Sequence, residues 1–378
     1  MLMDYDVAVI GAGIVGASIA ARLSTAGLAV ALIDKGAAGA GGASALSGGL
    51  VRLYDPDPLL MDLAAFSIGL LDDAIFAGTY ARALQRSGAF YRAAPEQMDE
   101  LCRVIEQYAS PRYPMRLIAS RELDGGQFPR CPDPARVNLY EPHACIGNVR
   151  LAIQLLTDVV RRNGLLLEHC QVGAIDCKSP HEVHIGLGES TLRCRALVVA
   201  AGGWSRQWVP GLQLQTRSIP LARVLTDTAY CMPVIDAVSQ SYLIPLTRQV
   251  VQTGCGFRDT EQSPDDLPAT DLRNRQDAVN RVRQLTGCTH SEVLDVLPGF
   301  DSYSPDGRPL LGFVEEDSPV FLATGMSGLG FKFAPGIAQI AFEHMQSRLL
   351  GKETGAGWSA LSPRRAIQYG DFVAGVQP

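Results

Sequence analysis

The hydrophobic pattern of the chain changes period twice within its first 34 residues. Residues 5–10 (YDVAVI) are rich in valine and isoleucine without clean alternation, which predicts a strand buried on both faces. Residues 18–27 (SIAARLSTAG) have helical spacing and end in Gly27, a typical helix stop. Residues 28–34 (LAVALID) predict a second strand that ends in Asp34. The pattern therefore predicts strand, turn, helix and strand in that order.

The turn between the first strand and the helix has the glycine spacing of a dinucleotide-binding motif. Gly11 allows the tight turn, Gly13 lets the backbone approach a pyrophosphate, and Gly16 lets helix and strand pack closely. The helix N-terminus adds N–H donors and the positive end of the helix dipole. Asp34 lies 18 residues after Gly16, where a carboxylate can bind a ribose hydroxyl. These features together predict a dinucleotide cofactor.

Residues 36–49 (GAAGAGGASALSGG) would be a flexible linker by composition alone. Because they directly follow the ribose-binding strand, their small side chains also let the backbone wrap closely around a cofactor. Ser44 and Ser47 offer hydroxyls to phosphate. The glycine motif does not separate NAD from FAD, and this additional glycine-rich segment favours FAD.

Similar elements return later in the chain and predict two domains. Helices are predicted over 150–163 and from about residue 334, and buried strands over 165–170, 192–205 and 319–325. Long insertions separate these elements. We predict an α/β fold (α+β overall) with a discontinuous, Rossmann-like FAD-binding domain, made of residues 1–85, 146–218 and 306–378. The insertions, 86–145 and 219–305, form a substrate-binding domain.

Composition excludes several classes of function. Apolar residues make up 47% and charged residues 19% of the chain, as in a compact enzyme. A net charge of -6 leaves no basic surface for nucleic acid. The nine cysteines form no CxxC pair, so we expect neither disulfides nor a metal site, and a cytoplasmic location. No stretch approaches the roughly 20 apolar residues of a membrane span, so membrane contact would be peripheral.

Five motifs, in order along nearly the whole chain, resemble the D-amino-acid oxidase superfamily: DVAVIGAGIVG, GGASALSGGLVR, LVVAAGGWS, SPDGRPLLG and ATGMSGLGFKFAP. GMSGLGFKFAP is most similar to the sarcosine oxidase and glycine oxidase branch, whereas residues 86–139 match little. The resemblance implies a substrate domain on a mixed sheet, with the isoalloxazine ring between the domains. It also implies oxidation of a C–N bond in an amino acid or related amine, by hydride transfer to flavin N5.

The motif and the resemblance together predict the cofactor contacts. They are Gly11, Gly13, Ile14, Val15, Gly16, Asp34, Lys35, Ser44, Ser47, Gly48, Gly49, Leu50, Val172, Ala201, Gly202, Trp204, Gly328, Leu329, Gly330, Phe331 and Lys332.

The resemblance also implies how a substrate carboxylate is held. In sarcosine oxidases a lysine at the place of Lys332 grips that carboxylate, and Arg52 matches an arginine that holds it. A guanidinium suits a carboxylate bidentately. Because a lysine among apolar residues is costly unless paired, we expect Lys332 to reach either a ligand carboxylate or solvent.

Three positions depart from this branch. Gly299 falls near the cysteine that attaches the flavin covalently in monomeric sarcosine oxidases, so we expect noncovalent FAD. Asp301 lies in the stretch where glycine oxidases carry a carboxylate-binding arginine, and an acid there favours a cationic group. Gln252 aligns with the lysine that assists oxygen reduction, and a neutral amide stabilises superoxide less well.

Three functions therefore stay open. The leading one is an FAD enzyme that oxidises a small amino acid or amine carboxylate to an imine, with O2, a quinone or a protein as electron acceptor. The others are an FAD-dependent 2-hydroxy-acid dehydrogenase and a flavin subunit of a hetero-oligomeric amino acid or opine dehydrogenase. Tyr242, Arg223 and His143 are secondary pocket candidates.

Overall fold

The computed structural model describes residues 2–123, 128–254, 256, 259–352 and 356–365. Its helices are α1 (Ile14–Thr25), α2 (Pro58–Gly69), α3 (Ala74–Gly78), α4 (Met98–Tyr108), α5 (Val149–Asn163), α6 (Leu272–Thr286) and α7 (Gly330–Leu350). Among the described residues, no helix is long and apolar enough to cross a membrane.

The described strands number twenty in chain order. They are β1 (Leu2–Ile10), β2 (Val30–Ile33), β3 (Leu50–Val51), β4 (Leu84–Arg86), β5 (Ala89–Ala93), β6 (Arg116–Ala119), β7 (Val137–Glu141), β8 (Cys145–Gly147), β9 (Leu165–Leu167), β10 (Ile175–Ser179), β11 (Glu182–Leu187), β12 (Ser190–Val199), β13 (Gln215–Thr226), β14 (Val234–Asp236), β15 (Ser241–Pro245), β16 (Val250–Gly254), β17 (Thr260–Glu261), β18 (Ser291–Tyr303), β19 (Leu310–Phe313) and β20 (Val320–Thr324).

The first sheet is built around β1, which pairs in parallel with β2 and β12. β9 extends it beyond β2, β20 pairs in parallel with the end of β12, and β19 adds an antiparallel edge. Val7 and Val9 pack toward helices α1, α5 and α7, whereas Ala8 and Ile10 pack into a core on the other face. The prediction of a first strand buried on both faces is therefore confirmed.

Helix α7 begins at Gly330, earlier than the start predicted near residue 334. Pro335, which the pattern placed at a helix start, lies inside the helix. A proline lacks the N–H that would bond the carbonyl four residues earlier, here Phe331. The Tyr80 hydroxyl donates to that carbonyl at 2.6 Å, so a contact from a distant helix lets α7 continue through the proline.

Two predicted strands end earlier than expected. β9 ends at Leu167 instead of residue 170, because His169 takes a positive φ of 54° that no strand accommodates. β12 ends at Val199 instead of continuing to residue 205, because Gly202, with φ 53°, begins a short 3-10 helix. Both breaks turn the chain at the carboxyl edge of the first sheet.

The second sheet is mixed, and its order is β17-β13-β16-β15-β14-β5-β7-β6. β18 pairs along the whole of β13, on the edge opposite β16 and β17. The β14–β5 pair is parallel and its other described pairs are antiparallel. β13 and β18 pair from Gln215↔Tyr303 to Thr226↔Ser291. The predicted fold class, a Rossmann-like unit with a second mixed-sheet unit, is confirmed.

Three strands cross the predicted domain bounds: β4 (Leu84–Arg86), β8 (Cys145–Gly147) and β13 (Gln215–Thr226). Strand β13 begins at Gln215 and so crosses the expected boundary between residues 218 and 219. A small third sheet, β3-β8-β4, lies where the chain passes between the larger sheets. The exact domain bounds stay a prediction.

Candidate functional site

A long cavity opens at the carboxyl ends of the parallel strands and extends to the second sheet. Ile10, Ile33 and Thr324 line it at the ends of β1, β2 and β20, and Ile219 and Tyr242 line it from the second sheet. Ligands of open α/β sheets bind at this edge.

Most of the predicted cofactor contacts line this cavity. They are Gly11, Gly13, Ile14, Val15, Asp34, Lys35, Ser44, Ser47, Gly48, Val172, Ala201, Gly202, Trp204, Gly328, Gly330 and Phe331. Gly16, Gly49, Leu50, Leu329 and Lys332 are not among its lining residues. Of these, Leu50 and Leu329 belong to hydrophobic cores.

The three glycines of the turn have different surroundings. Gly11 has φ 100°, and a Cβ there would lie 2.5 Å from the Ala200 carbonyl oxygen. A Cβ at Gly16 would lie 1.9 Å from the Gly11 carbonyl oxygen. At Gly13 the nearest atom to a Cβ would be the Ser44 hydroxyl oxygen, at 3.1 Å. Gly11 and Gly16 thus close the turn, whereas Gly13 leaves room for a ligand.

Two polar side chains hold the turn in place. Asp34 accepts hydrogen bonds from the Ala12 N–H at 2.6 Å and from the Gly36 N–H at 2.8 Å. The Ser44 hydroxyl accepts from the Ile14 N–H at 3.1 Å, at the N-terminus of α1. Both side chains also line the cavity, so each can meet a ligand as well as the backbone.

Lys35 and Trp204 form a stacked pair on the cavity wall. The Lys35 ammonium lies 3.7 Å from the centroid of the Trp204 ring. The Trp204 indole N–H donates to Asp265 at 2.9 Å, and the ring meets Phe300 edge-on at 5.4 Å. Lys35 and Trp204 belong to the predicted FAD-binding domain, whereas Asp265 and Phe300 belong to the segment predicted for the substrate domain. These contacts therefore connect the parts of the cavity wall that the two predicted domains contribute.

The wall formed by the second sheet is mainly apolar. Ile219 and Leu221, two residues apart on β13, and Ile244 line the cavity. Sequence analysis did not single them out, although the two-residue alternation of a strand would have placed Ile219 and Leu221 on one face. Gln252 and Asp301 line the same wall, and the Gln252 amide nitrogen lies 3.4 Å from the Leu46 carbonyl oxygen.

The secondary pocket candidates have different positions. Tyr242 lines the cavity. Arg223 does not; its Nε donates to Asp295 at 2.7 Å on an exposed part of the sheet. His143 also lies outside the lining, with its Nδ1 2.7 Å from the Arg112 carbonyl oxygen.

Four charged side chains, Arg52, Asp55, Glu141 and Lys332, form a buried charge cluster outside the lining of the cavity. The Lys332 ammonium pairs with Asp55 at 2.8 Å. Lys332 is 3% exposed and is not one of the lining residues of the cavity. Its partner in this structure is an acid of the protein, whereas a ligand carboxylate or solvent was expected. The expected role of Lys332 toward a substrate carboxylate stays a prediction.

Arg52 and Glu141 are oriented by the backbone of the same segment. The Arg52 guanidinium donates to the Tyr54 carbonyl oxygen and lies 5.5 Å from the centroid of the Tyr91 ring. Glu141 accepts from the Leu53 N–H at 2.7 Å. It also accepts from the Tyr113 hydroxyl at 3.0 Å.

Burial and neighbouring charges shift pKa values in this cluster. Burial lowers the pKa of Lys332, and the repulsion of Arg52 acts in the same direction, while Asp55 and Glu141 oppose it. Burial and the adjacent Glu141 carboxylate raise the pKa of Tyr113 well above its usual range. Asp55 is therefore the main group that favours the charged form of Lys332.

Known proteins share this architecture. The chain matches the family of FAD dependent oxidoreductases called DAO over residues 6–344. It belongs to this family. The protein is accordingly an FAD-dependent oxidoreductase, and FAD is its cofactor.

Relatives in this family cover most of the chain. Glycine oxidase of Bacillus subtilis (strain 168) is 22% identical over 376 residues, which cover 95% of this chain and 96% of the relative. The bifunctional tRNA 5-methylaminomethyl-2-thiouridine biosynthesis protein MnmC of Maricaulis maris (strain MCS10) is 26% identical over 383 residues, but only 56% of its own length is covered.

Solved structures share the fold. L-proline dehydrogenase from P. horikoshii superposes with a TM-score of 0.81 at 18% identity, covering 96% of this chain and 98% of that one. Glycine oxidase from Geobacillus kaustophilus has a TM-score of 0.78 at 19% identity, covering 97% and 100%. These identities show the shared fold and nothing finer.

The residues present fit FAD. Gly13 leaves a space beside the N-terminus of α1 that a Cβ would fill, and Asp34 lies at the end of β2 with its carboxylate on the same cavity. When bound, FAD supplies two-electron oxidation, while the protein supplies binding, orientation and electrostatics. No cluster of side chains among the described residues could hold a metal ion.

Proposed function

We propose that this protein oxidises the C–N bond of an amino acid or related amine carboxylate to an imine. The observation that carries the proposal is Arg52, which is 2% exposed and whose Nε has no hydrogen-bond partner among the described residues. Buried polar groups are normally satisfied, so an unpartnered guanidinium N–H favours a ligand that accepts hydrogen bonds. An ionised carboxylate is the acceptor that best suits an arginine.

The cations stand next to residues that line the cavity. Arg52 follows β3 directly, a few residues after Gly48 of the wall, and Lys332 follows Phe331 of the wall. In this proposal Arg52 and Lys332 hold the substrate carboxylate, and Ile219, Ile244 and their apolar neighbours exclude water from its side chain. Asp301 faces another part of the substrate and favours a cationic group there.

The names of the relatives support an amino acid as substrate. The aligned relative from Bacillus subtilis is a glycine oxidase, and the superposed structures include an L-proline dehydrogenase. A 2-hydroxy acid would present the same carboxylate but no amine. Assays of turnover with both kinds of substrate therefore distinguish the two functions.

We further propose that electrons leave to a quinone or an electron-transfer protein more readily than to O2. Gln252 is neutral and lies in the cavity wall, 7% exposed. Arg223, opposite Gln252 in the strand pairing, does not line the cavity, and its guanidinium is paired with Asp295. A fixed cation that would stabilise superoxide is thus missing from these positions.

A substrate screen with an artificial dye as acceptor tests the function. We expect turnover with one or more amino acids and faster reoxidation by the dye than by O2. Arg52→Gln should raise KM for that substrate roughly ten- to a hundred-fold, because a charge-assisted hydrogen bond contributes about 1.5–3 kcal/mol. Arg116→Gln, at an exposed position, is the matched control. Turnover of 2-hydroxy acids alone, or an unchanged KM in Arg52→Gln, would reject the proposal.

A further inference from the structure

The charges of the buried cluster balance. Arg52 and Lys332 contribute two positive charges, Asp55 and Glu141 two negative ones, and the four residues are between 1% and 7% exposed. Glu141 is occupied by backbone N–H groups and the Tyr113 hydroxyl. Asp55 is therefore the acid directly paired with the Lys332 ammonium, at 2.8 Å.

We propose that Asp55 is a positioning residue for the substrate carboxylate, acting through Lys332. In the absence of substrate it occupies the ammonium as a substrate carboxylate would, and so keeps this lysine charged and fixed in place. The inference rests on the proposed function, since it assumes that the ligand of the cluster is a carboxylate.

The physical reason is the cost of burying an unpaired charge. A buried lysine without a counter-ion releases its proton, because desolvation penalises the charged form. Arg52 adds repulsion, and Glu141, already bound to other donors, adds only attraction at longer range. A neutral amine cannot attract a carboxylate by charge, so the affinity of the site depends on Asp55 holding the proton on Lys332.

Asp55 has a second, opposing effect on binding. Its carboxylate competes with the ligand for the same ammonium, which weakens binding whenever Lys332 is already charged. The first effect matters at high pH, where Lys332 without Asp55 loses its proton. The second matters at low pH, where Lys332 is charged with or without Asp55. Tyr54, Tyr91 and Tyr113 are the other titratable groups that face the cluster. Burial raises the pKa of each hydroxyl above its usual range, so all three stay neutral near neutral pH.

Titration with propionate tests the proposal, because this probe stays ionised above about pH 6 and carries no amine. Binding to the FAD-loaded protein is followed by flavin absorbance as a function of pH. In Asp55→Asn, we expect the pH at which affinity begins to fall to move downward, with about a tenfold loss per pH unit above it, since one proton must then be taken up with the ligand. Below that pH the variant should bind at least as tightly as the wild type.

Three further variants keep the test decisive. Asp55→Glu should restore the wild-type profile, since it keeps the charge. Lys332→Met/Asp55→Asn should bind weakly and without this pH dependence, and it removes both buried charges at once. Asp62→Asn, an exposed acid on α2, is the matched control and should leave the profile unchanged.

The outcomes separate this inference from the proposed function. An unchanged pH profile in a folded, FAD-loaded Asp55→Asn would overturn the role of Asp55. If Asp55→Asn does not fold, a pH dependence that persists in the double variant would overturn it instead. Failure of the wild-type protein to bind propionate or any amino acid would reject the proposed function itself.

Discussion

Valine at position 13 and valine at position 16 should damage the protein in different ways, although both glycines belong to one turn. A Cβ at position 16 would lie 1.9 Å from the Gly11 carbonyl oxygen, which is backbone and cannot move aside. A Cβ at position 13 would meet the Ser44 hydroxyl at 3.1 Å and otherwise face the cavity. We therefore expect Gly16→Val to destabilise the fold and Gly13→Val to fold without retaining FAD.

The magnitudes follow from what each side chain displaces. Overpacking in a close-packed interior costs about 1–3 kcal/mol, and it costs more where the new side chain clashes with the backbone. The total free energy of unfolding of a protein is only roughly 5–15 kcal/mol. At position 13 the valine blocks approach to the N–H groups that open α1. Losing two charge-assisted hydrogen bonds, each about 1.5–3 kcal/mol, weakens FAD binding by roughly 10²- to 10⁴-fold.

The assay compares both variants with the wild-type apoprotein. Circular dichroism gives the unfolding temperature without FAD, and titration of FAD into each apoprotein gives its Kd. Gly69→Ala, at a position where a Cβ meets nothing within 4 Å, controls for the loss of a glycine. A Gly13→Val protein with wild-type Kd, or two variants that lose stability equally, would refute the reasoning.

Two other results are expected. Acid or heat precipitation should release yellow FAD to the supernatant, because the cysteine that attaches the flavin in monomeric sarcosine oxidases is expected near Gly299, where a Cβ would lie 2.5 Å from the Ile219 carbonyl oxygen. Flavin left on the denatured chain would contradict noncovalent binding. Gln252→Lys should speed reoxidation of the reduced enzyme by O2 in stopped-flow measurements while leaving dye reduction similar, with Gln249→Lys, on the turn before β16, as the control. Equal reoxidation rates for Gln252→Lys and the wild type would show that Gln252 does not limit the reaction with O2.

Local patterns predicted the cofactor turn well. The strand β1, the glycine spacing and α1 are contiguous in sequence, so their geometry depends on neighbours that the pattern contains. The same holds for α5, predicted over 150–163 and found at Val149–Asn163. The start of α7 was predicted four residues late, because the carbonyl that Pro335 leaves without a helix N–H is satisfied by Tyr80, which is 251 positions away from Phe331.

The partner of Lys332 could not be found by the same reasoning. Asp55 precedes it by 277 positions, within a YDPDP stretch that carries no helical or strand pattern. The packing of α7 against β3 and α2, which flank Asp55, brings the two side chains together. The sequence therefore predicted that Lys332 needs a partner, but the two partners expected were a ligand carboxylate and solvent, and not Asp55.

The order of the strands around β1 has a consequence for biosynthesis. β12 and β20 join the first sheet from far along the chain, and the cavity wall is completed by residues up to Phe331. The cofactor turn is synthesised before β20 and α7, yet its site is incomplete until β20 and the start of α7 have emerged from the ribosome. Pairing between such distant segments slows folding. Until β12 and β20 have been synthesised, β1 therefore has an unpaired edge, which is a site for pairing with other chains.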